Sequence, residues 1–263
     1  MTVEAAHYLR VSRRTARRHP RMVIIGTAGW VLPKGLQDRF STDGSVLTRY
    51  AAVFNGTEIN SSFHRRHRTS TYLRWAASVP DHFRFSVKMP KLITHVKRLM
   101  GSDDALHAFL ADAATLGERL ACLLIQLPPS FAFIPTDVEP FFKALRKCYA
   151  GNVALEPRHE SWFSLETIKL LEQYQVARVA ADPVRVPQAA EPGGWNGLAY
   201  WRLHGSPRIY RSSYADADLT ALGVKIRSAD RAARTVWCIF DNTASGAAAA
   251  DALTLQAIIA APQ

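Results

Sequence analysis

The chain has 263 residues, of which 48% are hydrophobic and 21% charged, and carries a formal net charge of +11. These proportions suit a globular protein, and no run reaches the roughly 18 apolar residues that a membrane-spanning helix needs. Three scattered cysteines, Cys122, Cys148 and Cys238, lack CxxC spacing and exclude a disulfide framework or zinc site; they read as reduced thiols of a cytoplasmic protein.

Much of the positive charge lies in "RVSRRTARRHPR" (10–21), before the first apolar run. It reads as a solvated extension, as a basic arm for nucleic acid or another polyanion, or as a twin-arginine export signal. The last is disfavoured because the apolar run after it contains a strand and no A-x-A cleavage site. Residues 1–21 are assigned to this extension and 22–263 to one domain.

In chain order, "MVIIG" (22–26) is expected as a strand and "SVLTRYAAVF" (45–54) as an amphipathic helix. "TEIN" (57–60), "FRFSV" (83–87), "CLLIQL" (122–127) and "NVALE" (152–156) are further strands. The helices 70–79, 103–117 and 137–149 separate them; the second has an acidic start and Gly117 at its end. A helix over 164–174 leads to the strand "VARVAAD" (176–182). The Pro- and Gly-rich stretch 183–197 reads as a loop. It is followed by the strand "LAYWRLHG" (198–205), a helix over 216–229, the strand "TVWCIFDN" (235–242) and a closing helix over 247–259. Eight strands alternating with helices predict an α/β fold with a parallel sheet, closed as a single-domain (β/α)8 TIM barrel.

Alternate residues of a strand share a face. Glu58 and Asn60 share one, as do Arg84, Ser86 and Lys88, Leu124 and Gln126, and Ala154, Glu156 and Arg158. Tyr200, Arg202 and His204 share another, while Asp182 ends the sixth strand and Asp241 and Asn242 end the eighth. If the apolar series packs under helices, the polar series points inward and gathers at the C-terminal ends of the strands, where barrel sites form. Buried charges need partners, and the two signs are balanced here. A purely structural polar core is the plainer alternative, but it would not need the bias toward the mouth.

The motifs "IGTAGW", "FNGTEINSSFHR", "FRFSVKMPKLITHVKRL", "LLIQLPPSF", "ALEPRHESWF", "ADPVRVP", "YWRLHGS" and "CIFDN", in order from about residue 23 to 259, resemble the YecE-like family, a domain of unknown function. The resemblance implies a TIM barrel related in architecture to endonuclease IV and xylose isomerase, with no established activity. His64, Glu160, the stretch after Trp30 and "FDNTASGAAAADA" depart from the family pattern.

Three functions are weighed. The first is an acid/base enzyme, a hydrolase among the options, acting on a small anionic, phosphate-bearing or sugar-like ligand. Glu58, Glu156, His204 and Asp241 are its catalytic candidates. Lys88, Arg158 and Arg202 would hold the anion, Trp30 and Trp162 would stack on a ring, and Asn60, Gln126, Asp182 and Asn242 would complete the ligand contacts. The second is a metal-assisted phosphodiesterase with Glu156, Asp182, His204 and Asp241 as ligands, opposed by the neighbouring arginines and the few histidines. The third is a non-enzymatic nucleic-acid-binding protein using the basic arm and "KLITHVKRL" (91–99). No pattern identifies a cofactor or assigns a metal site, and no G-x-S-x-G, P-loop or HExxH occurs.

Overall fold

The computed structural model describes residues 22–232 and 235–261. The arginine-rich extension, with its three readings, lies outside the described residues.

The strands are β1 (Val23–Thr27), β2 (Gly56–Ile59), β3 (Arg84–Lys88), β4 (Leu120–Gln126) and β5 (Asn152–Glu156), then β6 (Val176–Arg178), β7 (Ala180–Asp182), β8 (Gly193–Gly194), β9 (Leu198–Leu203) and β10 (Thr235–Phe240). The α-helices are α1 (Val46–Ala51), α2 (Thr69–Ala77), α3 (Asp103–Ala113), α4 (Pro135–Cys148), α5 (Leu165–Gln173), α6 (Asp216–Arg231) and α7 (Ala247–Ala260). Local signals explain several boundaries. Ser45 and Ser164 accept hydrogen bonds from Thr48 N–H and Thr167 N–H and so cap α1 and α5. Pro135 opens α4, where its missing N–H costs nothing.

The fold is mixed α/β. Hydrogen bonding divides the strands into a four-stranded sheet, order β1-β10-β9-β7, and a six-stranded sheet, order β2-β3-β4-β5-β6-β8. All pairings are parallel except β6 with β8. The two sheets meet at both edges. On one side Ala28 bridges Glu58, and Gly29 N–H donates to Glu58 C=O at 2.8 Å. The approach there needs glycine: a Cβ on Gly26 would lie 2.0 Å from the Gly56 carbonyl oxygen. On the other side β6 follows β5 while β7 follows β9, so the segment from Val176 to Asp182 runs from one sheet into the other.

This corrects the expected sixth strand, which is two short pieces with different partners. The stretch after it holds only a 3-10 turn (Pro187–Ala190) and β8. No α-helix covers that unit among the described residues.

The outward faces of the strands and the helices form one large core. A smaller core of Ile24, Cys122, Leu124, Ala154, Ala177, Tyr200, Trp237 and Ile239 lies between the two sheets. Tyr200 and Trp237 stack there, with centroids 5.8 Å apart and planes 5° from parallel. Burying each large side chain contributes about 1.5–3 kcal/mol. This inner core supports the polar layer above it.

Candidate functional site

Six polar side chains from four strands meet above the inner core. Glu58 (β2), Glu156 (β5) and Arg202 (β9) are fully buried, and His204 and Asp241, just beyond β9 and β10, are 1% and 4% exposed. The alternation seen in the sequence accounts for this. Trp237 pairs with Tyr200 and Ile239 with Arg202, so Asp241 continues the inward series at the level of His204.

Arg202 is the hub. Its Nε and Nη2 donate to the two oxygens of Glu58 at 2.9 and 2.6 Å, its Nη1 to Glu156 at 2.9 Å, and Nη2 lies 3.1 Å from Asp241 Oδ2. Burial alone would lower its pKa, but Asp241, Glu58 and Glu156 outweigh that and hold it well above the usual value. From below, Tyr200 donates to Glu58 and contacts Ser86 Oγ, each at 3.1 Å.

His204 sits between two carboxylates. Its Nδ1 is 3.0 Å from Asp241 and its Nε2 is 2.9 Å from Glu156 Oε1. Arg158 reaches the same corner, with Nη2 2.5 Å from Glu156 Oε1 and 2.9 Å from His204 Nε2. Burial pushes the Glu156 carboxyl up, but the charges of His204, Arg158 and Arg202 prevail and keep it well below the carboxylate range. Asp241 is lowered in the same way, with Arg202 the strongest opposing charge. Two proton arrangements satisfy this geometry. In one, a doubly protonated imidazole donates to both acids. In the other, Nδ1–H donates to Asp241 while Nε2 accepts from Arg158. Moving between them transfers one proton at Nε2, which is what a general acid or base must do.

Lys88 is 6% exposed at the end of β3, with Nζ 4.5 Å over the Phe63 ring. Among the described residues it makes no ion pair within 4 Å. Burial, with Arg202 nearby, lowers its pKa to about 8. Gln126 pairs in register with Glu156 and is half-buried beside it. Trp30 and Asn60 line a cavity of about 710 Å³ together with Ala28, Gln37 and Arg49. Asn60 Oδ1 is buried there with no hydrogen-bond partner among the described residues.

Three of the sequence-derived candidates take other places, and a fourth is placed as expected but with its donors already used. Asp182 pairs in register with Leu203, whereas its neighbour Ala181 pairs with Arg202. It therefore faces outward and accepts from Tyr214 Oη at 2.7 Å. Asn242, one residue past Asp241, also turns outward and donates to Ser212 C=O and Asp251. Trp162 is fully buried, packed edge-on by Phe131 and Phe133, and donates to Phe131 C=O at 2.8 Å, so it offers no face to a ligand. Arg202 belongs to the layer, but it is wholly buried among its three carboxylates, which take up its donors.

Sequence reasoning missed the supporting Tyr200 and Ser86, although both share the inward parity, and it missed Phe63 beneath Lys88. It also missed Tyr210, whose ring meets His204 edge-on at 5.8 Å and whose N–H donates to the His204 carbonyl. Tyr210 lies in a loop, where strand parity has no force. With Asp182 outside the layer, the four ligands of the metal-assisted alternative do not come together. Among the described residues no three His, Cys, Asp or Glu side chains converge as a metal site.

A family profile described as "Protein of unknown function DUF72" matches residues 24–263, which takes in every residue of this layer. The chain belongs to the DUF72 family. A DUF72 protein of Thermotoga maritima, TM1631, superposes with a TM-score of 0.76 at 25% identity, covering 91% of this chain and 99% of its own. EF0366 of Enterococcus faecalis V583, also a DUF72 protein, gives 0.74 at 20% identity over 93% and 100%. The UPF0759 protein YunF of Bacillus subtilis is 28% identical over 153 residues, 54% of this chain and 53% of YunF. The match thus spans about half the length of that curated relative. DUF72 membership fixes the fold, and none of these relatives brings an activity with its name. No described helix is long and apolar enough to cross a membrane.

Proposed function

We propose that residues 22–263 form one (β/α)8 barrel behind the 1–21 extension, and that the layer around Arg202 is the floor of a ligand site at its C-terminal mouth. The two seams between the sheets support the barrel, one at Ala28 and Glu58 and the other through residues 176–182. The ligand is anionic, phosphate-bearing or sugar-like. Arg158, with its side chain 10% exposed, meets its charge, and Lys88 adds a second positive field. Trp30 offers a ring for stacking, and the unpartnered Asn60 Oδ1 accepts from a hydroxyl.

The observation that carries this reading is the placement of His204 between Glu156 and Asp241, with Arg158 at its Nε2. Three carboxylates face three permanent or near-permanent cations and one imidazole. When His204 takes its second proton, the site has a positive excess that an anion can meet. His204 then exchanges a proton with the ligand at Nε2, Asp241 holds the ring, and Glu156 stabilises the charged form.

Calorimetric titration with inorganic phosphate and glucose 6-phosphate tests it. Arg158→Gln should weaken binding about 10-fold or more, as expected for a lost charge-assisted hydrogen bond. Asp182→Asn, on the outer face, should leave it unchanged. Equal binding in wild type and Arg158→Gln would contradict the assignment.

A further inference from the structure

Lys88 is the ionisable group that the proton-transfer reading leaves without chemistry. It ends β3 on the same inward face as Ser86, which pairs in register with Glu58, so Lys88 lies one inward position beyond Glu58 toward the C-terminal ends of the strands. A buried ammonium usually finds a carboxylate. Here the acids are already taken: Glu58 by Arg202 and Tyr200, Glu156 by Arg202, Arg158 and His204, and Asp241 by Arg202 and His204. Among the described residues Lys88 Nζ donates no hydrogen bond and lies over the face of Phe63, which is itself held edge-on by His95 at 4.9 Å. The Phe63 face favours the ammonium, but burial, a neighbouring guanidinium and the lack of a paired acid act the other way and are the conditions that leave a lysine nucleophilic.

We propose that Lys88 forms a covalent imine with a carbonyl compound, an aldehyde or ketone of the small hydroxylated class, at the barrel mouth. The ammonium first gives up one proton; the neutral amine then adds to the carbonyl carbon, the C=O electron pair moves to oxygen, and a proton passes from nitrogen to that oxygen to give the neutral carbinolamine. The carbinolamine loses water as the proton first given up returns to its hydroxyl and the nitrogen lone pair forms the C=N bond. The balance is ammonium plus carbonyl giving protonated imine plus water, with no oxidant or reductant. His204, between Glu156 and Asp241, supplies a proton donor in the same layer for the loss of water.

The inference rests on the mouth as a ligand site but not on the ligand's charge. The groups facing Lys88 are Glu58 on β2, Glu156 on β5, Arg202 on β9 and Asp241 after β10, with His95, itself beside Lys91, on the turn that follows β3. Burial leads in lowering its pKa to about 8, with Arg202 acting in the same direction. Two to three pH units separate that from an ordinary lysine at about 10.4.

The test is reductive alkylation of the whole protein with uncharged glyceraldehyde and sodium cyanoborohydride, read by peptide mass spectrometry. Near pH 7, Lys88 should be modified on the order of a hundredfold faster than the exposed Lys91 and Lys97, because a larger share of it is neutral. Its labelling should reach half its maximum near pH 8. Lys88→Arg keeps the positive charge, so it should keep the native circular dichroism spectrum and lose that adduct alone. Labelling of Lys91 and Lys97 with Lys88 untouched would overturn the proposal, as would a Lys88 profile matching the surface lysines. Phosphate binding is measured on the same samples. Labelled Lys88 without phosphate binding refutes the anion reading and leaves the imine standing; phosphate binding without labelled Lys88 does the reverse.

Discussion

Two polar networks lie at the C-terminal end of the sheets, one residue apart in sequence. The inner one joins Glu58, Glu156, Arg158, Arg202, His204 and Asp241 in ion pairs that span four strands. The outer one joins Asp182, Tyr214, Asn242 and Asp251, and fastens the loop after β9 to β7 and α7. Asp241 belongs to the first and Asn242 to the second; Leu203 and Asp182 face out where Arg202 and Ala181 face in. The inner set contains matched charges and an imidazole with acids on both nitrogens. The outer set contains carboxylates held mainly by neutral donors. Only the first has the parts for moving a proton, so the facing of a residue matters more than its position near a strand end.

The largest effect should separate the two sets by stability. Arg202→Met leaves three buried carboxylates without their shared partner. Urea denaturation should show a loss of about 3–5 kcal/mol, the usual cost of breaking a buried ion pair from one side. Asp182→Ala, on the outer set, should cost about 1–2 kcal/mol for one hydrogen bond to a charged acceptor. Equal losses would erase the distinction.

Acid should sharpen it next. Glu156 and Asp241 have folded-state pKa values below their unfolded ones, so they contribute stability that is present above about pH 4.3 and is lost as pH falls through the folded values. Asp251 has the opposite sign. Burial raises its pKa against the donors Asn242 and Tyr214 N–H, so its ionisation costs stability above its folded value, and that cost fades in acid. Glu156→Gln should flatten the acid limb of stability against pH, and Asp251→Asn should steepen it. Denaturation midpoints measured across the acid range decide this.

The alternation of strands and helices was legible because each segment had its own period and punctuation, and the bounds of β5 agree with the sequence reading to the residue. The break in the sixth strand was not legible. "VARVAAD" reads as one strand with no turn residue to break it, and its change of partner from β5 to β9 depends on its neighbours in the two sheets rather than on the segment. Parity located Glu58, Glu156, Arg158, Arg202 and His204 correctly on the inward face. It was not applied to Asp182, where nearness to the strand end stood in for it. Counting from Ala177 in the inner core gives Ala181 inward and Asp182 outward. Trp162 misled for another reason: a large ring after a charged motif resembles a stacking platform, and only packing shows that Phe131 and Phe133 enclose it.

The smallest effect is at the surface. Lys225 and Glu191 pair at 2.5 Å beside the outer network, but both side chains are about half exposed. Lys225→Ala should change stability by about 0–1 kcal/mol, measured by the same denaturation. A larger loss would mean that the outer region also depends on charge pairing.

The central claim is that the inner layer is a ligand site and more than a brace for the fold. Nitrogen-detected NMR of the His204 ring during titration with inorganic phosphate tests it most directly. The account predicts that the ring resonances of His204 move with phosphate in the wild type and stay fixed in Arg158→Gln. Phosphate that binds without moving His204, or moves it equally in both proteins, would contradict the account.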